Sequence, residues 1–263
     1  MRVLLTGASG RIGTILLSNL ANRYEWTLLD RHPVQRTYGF PFYQIDITDY
    51  NSLLPACNQI ETIVHLAASS DPVSKWGELI GSNIQGVYHI FEAALHCGCR
   101  RVIFASSLHV VDGYPRELQI HPDMPPNPLT LYGATKAWGE ALGAFYAYQK
   151  NLSVLCLRIG WVKSSTDPSL RPDNPHLSYI MTEADLLRLF ICCLEAPYSI
   201  HFGVFHGISN NRYKRLDITT ARQILGYEPQ DDAFEIAQRQ RYHPLQQAKR
   251  LFRKVLKVIN RRL

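Results

Sequence analysis

Tyr132 and Lys136 stand four residues apart in Tyr132-Gly-Ala-Thr-Lys136, a spacing that puts both side chains on one face of a helix. A phenol titrates at about 10, too high for a general base at neutral pH, and a cation beside it favours the phenolate. The pair therefore suits abstraction of a proton from a hydroxyl, with Tyr132 as the base and Lys136 holding its pKa down. Ser107 follows the apolar run Arg101-Val-Ile-Phe-Ala105. Its hydroxyl can hydrogen-bond the same oxygen, orienting it and stabilising the charge that develops.

A glycine-rich turn supplies a second chemistry. Arg2-Val-Leu-Leu-Thr6 reads as a strand, Gly7-Ala-Ser-Gly10-Arg-Ile-Gly13 as a loop, and Ile12, Ile15, Leu16 and Leu20 as the apolar face of a helix. In that context the glycines let backbone approach a pyrophosphate, and the helix N-terminus offers free N–H groups to it. The next strand, Trp26-Thr-Leu-Leu-Asp30, ends in a carboxylate where a dinucleotide fingerprint puts its ribose ligand. Asp30 can accept from both ribose hydroxyls and repels a 2′-phosphate, which favours NAD. Arg31, His32 and Arg36 come next, and a guanidinium there could instead pair with the extra phosphate of NADP.

Elements that position these residues alternate along the chain. Val3 to Leu5, Thr27 to Leu29, Phe42 to Ile47, Thr62 to Leu66, Val102 to Ala105 and Val154 to Ile159 are strand-like, and helical patterns fall between them. Alternation of this kind predicts an α/β fold whose parallel sheet is covered on both faces, with ligands at the carboxyl ends of its strands. Pro-rich loops at 115–128 and 168–175 follow the catalytic strands and are candidates for the substrate pocket.

Composition narrows the class. A chain of 263 residues with 46% hydrophobic content can bury a core as one large domain with a small cap. No segment has the uncharged apolar length of a membrane span, and a strand at the start leaves no signal-peptide pattern, so a cytoplasmic location is expected. The six cysteines show no metal-ligand spacing, and no metal is expected. Of the net charge of +6, seven positive charges lie in residues 244–263, which leaves the remainder at −1. Apolar residues recur at helical spacing in that tail, so it reads as a basic amphipathic helix that could lie on the protein body, on a partner or on an anionic membrane surface. Nothing else in the sequence supports nucleic-acid binding.

Taken together, the glycine loop, Ser107 and Tyr132-x-x-x-Lys136 resemble the extended short-chain dehydrogenase/reductase family, the NAD-dependent epimerases and dehydratases. Asp46-Ile47, His65-Leu-Ala-Ala68, Asn83-x-x-Gly86, Leu157-Arg-Ile-Gly160 and Ile224-Leu-Gly-Tyr-Glu-Pro229 carry the resemblance over nearly the whole chain. It implies a Rossmann-type doubly wound sheet with a small C-terminal substrate-binding cap. Residues 1–243 would form one domain, the cap drawn mainly from 161–182 and 207–243, with 244–263 outside it. The resemblance further implies a catalytic triad of Ser107, Tyr132 and Lys136. The cofactor would be lined by Gly7, Gly10, Arg11, Ile12, Gly13, Asp30, Asp46, Ile47, Ala67, Ala68, Asn83 and Ile159, with Lys136 also holding its ribose. A homo-oligomer through the helices near 84–95 and 132–148 is the family's usual assembly.

Within the family, Phe104-Ala-Ser-Ser-x-His109 followed by Tyr114-Pro115 and a short cap is most similar to the uronate dehydrogenases, which oxidise C1 of a hexuronate with NAD. That resemblance implies substrate contacts from Ser70, Ser107 and His109, though His109 could equally serve as a cap at the strand end. Leu108 and Trp161 stand where those enzymes carry polar residues. Their carboxylate-binding arginine aligns with Pro175, so Arg171 is the candidate to replace it. The expected activity is oxidation of a sugar hydroxyl by an NAD-dependent dehydrogenase. An NAD-retaining nucleotide-sugar epimerase or dehydratase, or a non-catalytic NAD(P)-binding regulatory protein, is the alternative.

Overall fold

The structure, a computed structural model, describes residues 1–240; the basic tail singled out above lies outside the described residues. Seven parallel strands form the main sheet: β1 (Arg2–Thr6), β2 (Glu25–Asp30), β3 (Phe42–Gln44), β4 (Thr62–His65), β5 (Arg101–Ser107), β6 (Ser153–Ile159) and, after a small second sheet, β9 (Phe202–Gly207). Their spatial order is β3-β2-β1-β4-β5-β6-β9. Chain order reverses between β1 and β4, and a crevice at the carboxyl ends of those two strands is where a doubly wound sheet takes its ligand. Parallel strands buried on both faces need near-continuous apolar sequence, and β4, β5 and β6 are buried along their whole lengths.

Helices cover both faces. On one side α1 (Arg11–Leu20) and α6 (Glu183–Glu195) pack Leu16, Leu17, Leu189 and Phe190 onto Val3, Leu5, Leu155 and Leu157. On the other, α2 (Tyr50–Cys57), α4 (Val87–His96) and α5 (Leu131–Lys150) close over Leu4, Ile63, Val102 and Val154. The long helix α5 starts where Thr130 accepts the Gly133 N–H at 3.0 Å and stops at Asn151, whose left-handed backbone (φ 56°) ends the helical run. A short helix α3 (Trp76–Leu79) and a π-helical stretch, Ile80–Gly86, precede α4. Asn83 lies buried within that π-helical stretch.

Residues after β6 build a small layer over the sheet's end. β7 (Trp161–Lys163) pairs in parallel with β8 (Ile180–Thr182), and Leu170, Leu177 and Ile180 pack on Ala233 and Ala237 of the helical stretch 233–240. Asn211 bridges the two parts, donating to Ile180 O at 2.9 Å and accepting from Ala233 N at 3.0 Å. Helix α7 (Thr219–Leu225) closes on Gly226, and the Tyr227 hydroxyl donates to Ile208 O at 2.9 Å. No helix among the described residues is long and apolar enough to cross a membrane.

Candidate active site

One cavity of about 670 Å³ runs along the carboxyl ends of β1, β2, β4, β5 and β6. At one end the glycine turn forms its floor. Gly7 has φ 71°, and a Cβ there would lie 2.7 Å from Ala67 N; a Cβ on Gly13 would lie 2.5 Å from Gly7 O. Only glycines let the turn, the strand end and α1 come this close. Gly10 begins α1 with no side-chain cap, so the N–H groups of Arg11 and Ile12 are left for a ligand. Asp30 receives Ser9 N and His32 N, both at 2.9 Å, one on each carboxylate oxygen. Each oxygen keeps a lone pair for a ribose hydroxyl. Asp46, Ile47, Ala67 and Ala68 complete this half, while Ile159, the register partner of Ser107, lines the cavity at the other end. An uncapped helix end behind a glycine cradle, with a fixed carboxylate at the second strand, fits a dinucleotide.

Asn83 does not stand on the cavity wall. The amide lies behind it, accepting from Ser69 N at 2.8 Å and donating to Ser69 O at 2.9 Å and to the Thr135 hydroxyl at 3.1 Å. It shapes the loop after β4 and ties that loop to α5, a position the motif alone does not distinguish from a wall residue.

At the other end Ser107, Tyr132 and Lys136 meet. Strand alternation separates the two serines that end β5. The Ser106 hydroxyl donates inward to Glu140 at 2.5 Å, whereas the Ser107 oxygen accepts His109 N at 3.2 Å and lines the cavity with Tyr132. Burial is the largest influence on the Tyr132 phenol and raises its pKa; the nearby Ser107 hydroxyl works against it. The expected lowering by Lys136 is therefore not what sets the phenol. The Lys136 ammonium donates to Ala105 O at 2.8 Å and lies 5.8 Å from the Tyr132 ring centre, and burial takes its own pKa down to about 8 against an opposing pull from Glu140.

Glu140 was not legible as a site residue. It continues the Tyr132–Lys136 stripe by one more turn, buried, and receives Arg158 through Nε at 2.9 Å and Nη2 at 2.8 Å. A bidentate pair beneath Lys136, joined by Ser106, fixes β5, β6 and α5 relative to one another. His65 is held neutral below this layer: burial, then the Lys136 charge, takes it down to about 3.

Around the triad stand Ser70, His109, Trp161 and Lys163. Trp161 packs against His176 at 4.3 Å between ring centres and Tyr179 at 6.1 Å, which gives the wall an aromatic face. Lys163 pairs with Asp167 at 3.3 Å. Arg171 is not brought to the cavity. Its side chain is 70% exposed and lies 3.8 Å from Asp173, on the outer side of the Pro-rich loop. The expectation that it takes over a carboxylate contact fails on position, because a loop alignment carries no information on which way the loop folds.

Residues 3–184 match the NAD dependent epimerase/dehydratase family. The chain belongs to that family. A NAD-dependent glucose-6-phosphate dehydrogenase of Haloferax volcanii is 34% identical over 253 residues, covering 89% of this chain and 94% of that protein. An L-arabinose 1-dehydrogenase (NAD(P)(+)) of the same organism is 29% identical, over 90% of this chain and 99% of the relative. Among solved structures, a uronate dehydrogenase from Agrobacterium tumefaciens complexed with NAD superposes with a TM-score of 0.82 at 28% identity, covering 90% of this chain and 88% of that one. NAD is thus the cofactor of the family and is bound in a related structure, in agreement with the glycine cradle and Asp30.

Proposed function

We propose that this chain is an NAD-dependent dehydrogenase that oxidises a sugar hydroxyl, at C1 of an aldose or hexuronate. The observation that carries the reading is the convergence of Ser107, Tyr132 and Lys136 at one end of a cavity whose other end is a dinucleotide cradle. Three relatives or neighbours of similar length, named for glucose-6-phosphate, L-arabinose and uronate, support sugar as the substrate class.

Each residue has a task that its geometry supports. Ser107 donates to the substrate hydroxyl oxygen and holds it against Tyr132. Tyr132 takes the hydroxyl proton, and the raised pKa of its buried phenol makes a nearby cation necessary for the phenolate to form. Lys136 supplies that cation; its four-carbon stem lets the ammonium leave Ala105 O for a ribose hydroxyl and the phenolate. NAD, when bound, supplies the hydride acceptor.

The discriminating experiment is a screen of hexuronates, free aldoses and sugar phosphates with NAD and with NADP, following absorbance of the reduced cofactor. Accumulation of many NADH per enzyme supports the dehydrogenase. Sugar interconversion without free NADH would instead identify an epimerase or dehydratase, and absence of turnover with bound NAD would favour a regulatory protein.

A further inference from the structure

His109 lines the cavity and pairs with Asp112, and the triad uses neither residue. His109 sits in a short 3₁₀ turn, Leu108–Val110, directly after Ser107, edge-on to the Tyr132 ring with 5.8 Å between centres. Its Nδ1 lies 2.5 Å from an Asp112 carboxylate oxygen, and both side chains are largely buried, 16% and 15% exposed. The other Asp112 oxygen accepts Leu129 N at 3.1 Å, three residues ahead of Tyr132. Backbone bonds hold the chain on both sides of Asp112: Gly113 N to Asn127 O and Asn127 N to Val110 O, each 2.8 Å. Turning Asp112 away from the ring would cost the bond to Leu129 N at the entry to α5.

An ionised carboxylate only accepts, so the proton of the neutral imidazole sits on Nδ1. The partner of one ring nitrogen sets the role of the other. Nε2 is then the ring nitrogen left with a lone pair for a ligand, on a residue that lines the same cavity as Ser107 and Tyr132.

We propose that Asp112 positions His109 in its Nδ1–H tautomer so that Nε2 accepts a hydrogen bond from the substrate hydroxyl flanking the carbon that is oxidised. The inference rests on the sugar dehydrogenase reading and sharpens it. A lone pair at this position welcomes a hydroxyl and opposes a carboxylate or phosphate oxygen, so the recognised substrates carry a free hydroxyl at C2. Asp112 is a positioning residue, and His109 sets specificity.

Two readouts test it. Nitrogen-15 NMR of histidine-labelled protein, with the His109 signals assigned by loss in His109→Gln, reports the tautomer independently of turnover. Asp112→Asn keeps an acceptor for Leu129 N but faces the ring with an amide donor, so the Nδ1–H signature should disappear while the fold is kept. Kinetically, wild type should prefer a sugar over its 2-deoxy analogue by about tenfold or more, as expected where a built acceptor is left unpaired. Asp112→Asn and His109→Gln should each lower kcat/KM for the parent sugar chiefly through KM, and in Asp112→Asn the preference should collapse towards unity. An Nε2–H tautomer in an active wild type, or an unchanged preference in Asp112→Asn, overturns the inference. A wild type that oxidises no sugar overturns the dehydrogenase reading and the hydroxyl assignment with it.

Discussion

Glu140→Gln should destabilise the protein far more than a surface change of the same size, because every partner of the carboxylate is a donor. Ser106 Oγ reaches it at 2.5 Å, and Arg158 through Nε at 2.9 Å and Nη2 at 2.8 Å. A glutamine oxygen can keep the Ser106 and Nε contacts, but its amide then points an N–H at Nη2. Arg158 is left as a buried cation, its side chain 3% exposed, with Lys136 close by. Breaking a buried pair from one side costs about 3–5 kcal/mol, whereas replacing both partners by apolar groups of similar volume is often neutral. With a urea slope of about 2–3 kcal/mol per molar, the unfolding midpoint should fall by about 1–2.5 M. Adding Arg158→Met should restore most of that loss. In the folded single variant, loss of Glu140's upward pull takes the Lys136 pKa lower still, so the alkaline limb of kcat/KM moves to lower pH. A midpoint within about 0.3 M of wild type, or a double variant no more stable than Glu140→Gln, would refute the reasoning.

Lys136 bears on stability as well as chemistry: its pKa falls from 10.5 to about 8 on folding, so the cost of burying the ammonium is present in full below pH 8 and is relieved as pH rises through that window. Relative to Lys136→Met, wild type should gain stability between pH 8 and 10.5, by about 3 kcal/mol at most; a constant difference across that range in chemical denaturation would count against a buried charged lysine. Asp30→Ala should weaken NAD by about tenfold, as loss of a charged hydrogen-bonding group predicts. It should narrow or reverse the preference over NADP, and calorimetry showing equal NAD and NADP affinity in wild type would remove Asp30 as the determinant.

Much of this site could be read from the sequence because its parts are local. The glycine turn follows a strand and opens a helix within a dozen residues, and Tyr132 and Lys136 share one helix face, so spacing alone places them. Their meeting with Ser107 needed only the rule that parallel strands carry ligands at their carboxyl ends. What escaped depends on contacts distant in sequence. Glu140 reads as one more polar residue on α5 until β6 brings Arg158 against it, and its place one turn beyond Lys136 was the available clue. Arg171 failed for the opposite reason: a loop position was inferred from alignment, and the loop folds outward. The phenol's environment was also misjudged, since a Lys four residues away in a helix faces the backbone carbonyl of Ala105 as readily as the tyrosine oxygen. The aromatic wall of Trp161, His176 and Tyr179 joins one residue of β7 to two from the turn that precedes β8, which no single periodicity reports.

The central claim is that Tyr132 is the base of a sugar dehydrogenase, and Tyr132→Phe addresses it most directly. The ring still packs and the glycine cradle is untouched, so NAD affinity measured by calorimetry should stay near wild type. Turnover on a sugar that wild type oxidises, followed as NADH formation, should fall by about 10² to 10⁴. A Tyr132→Phe enzyme that binds NAD normally and keeps most of its activity would contradict the account.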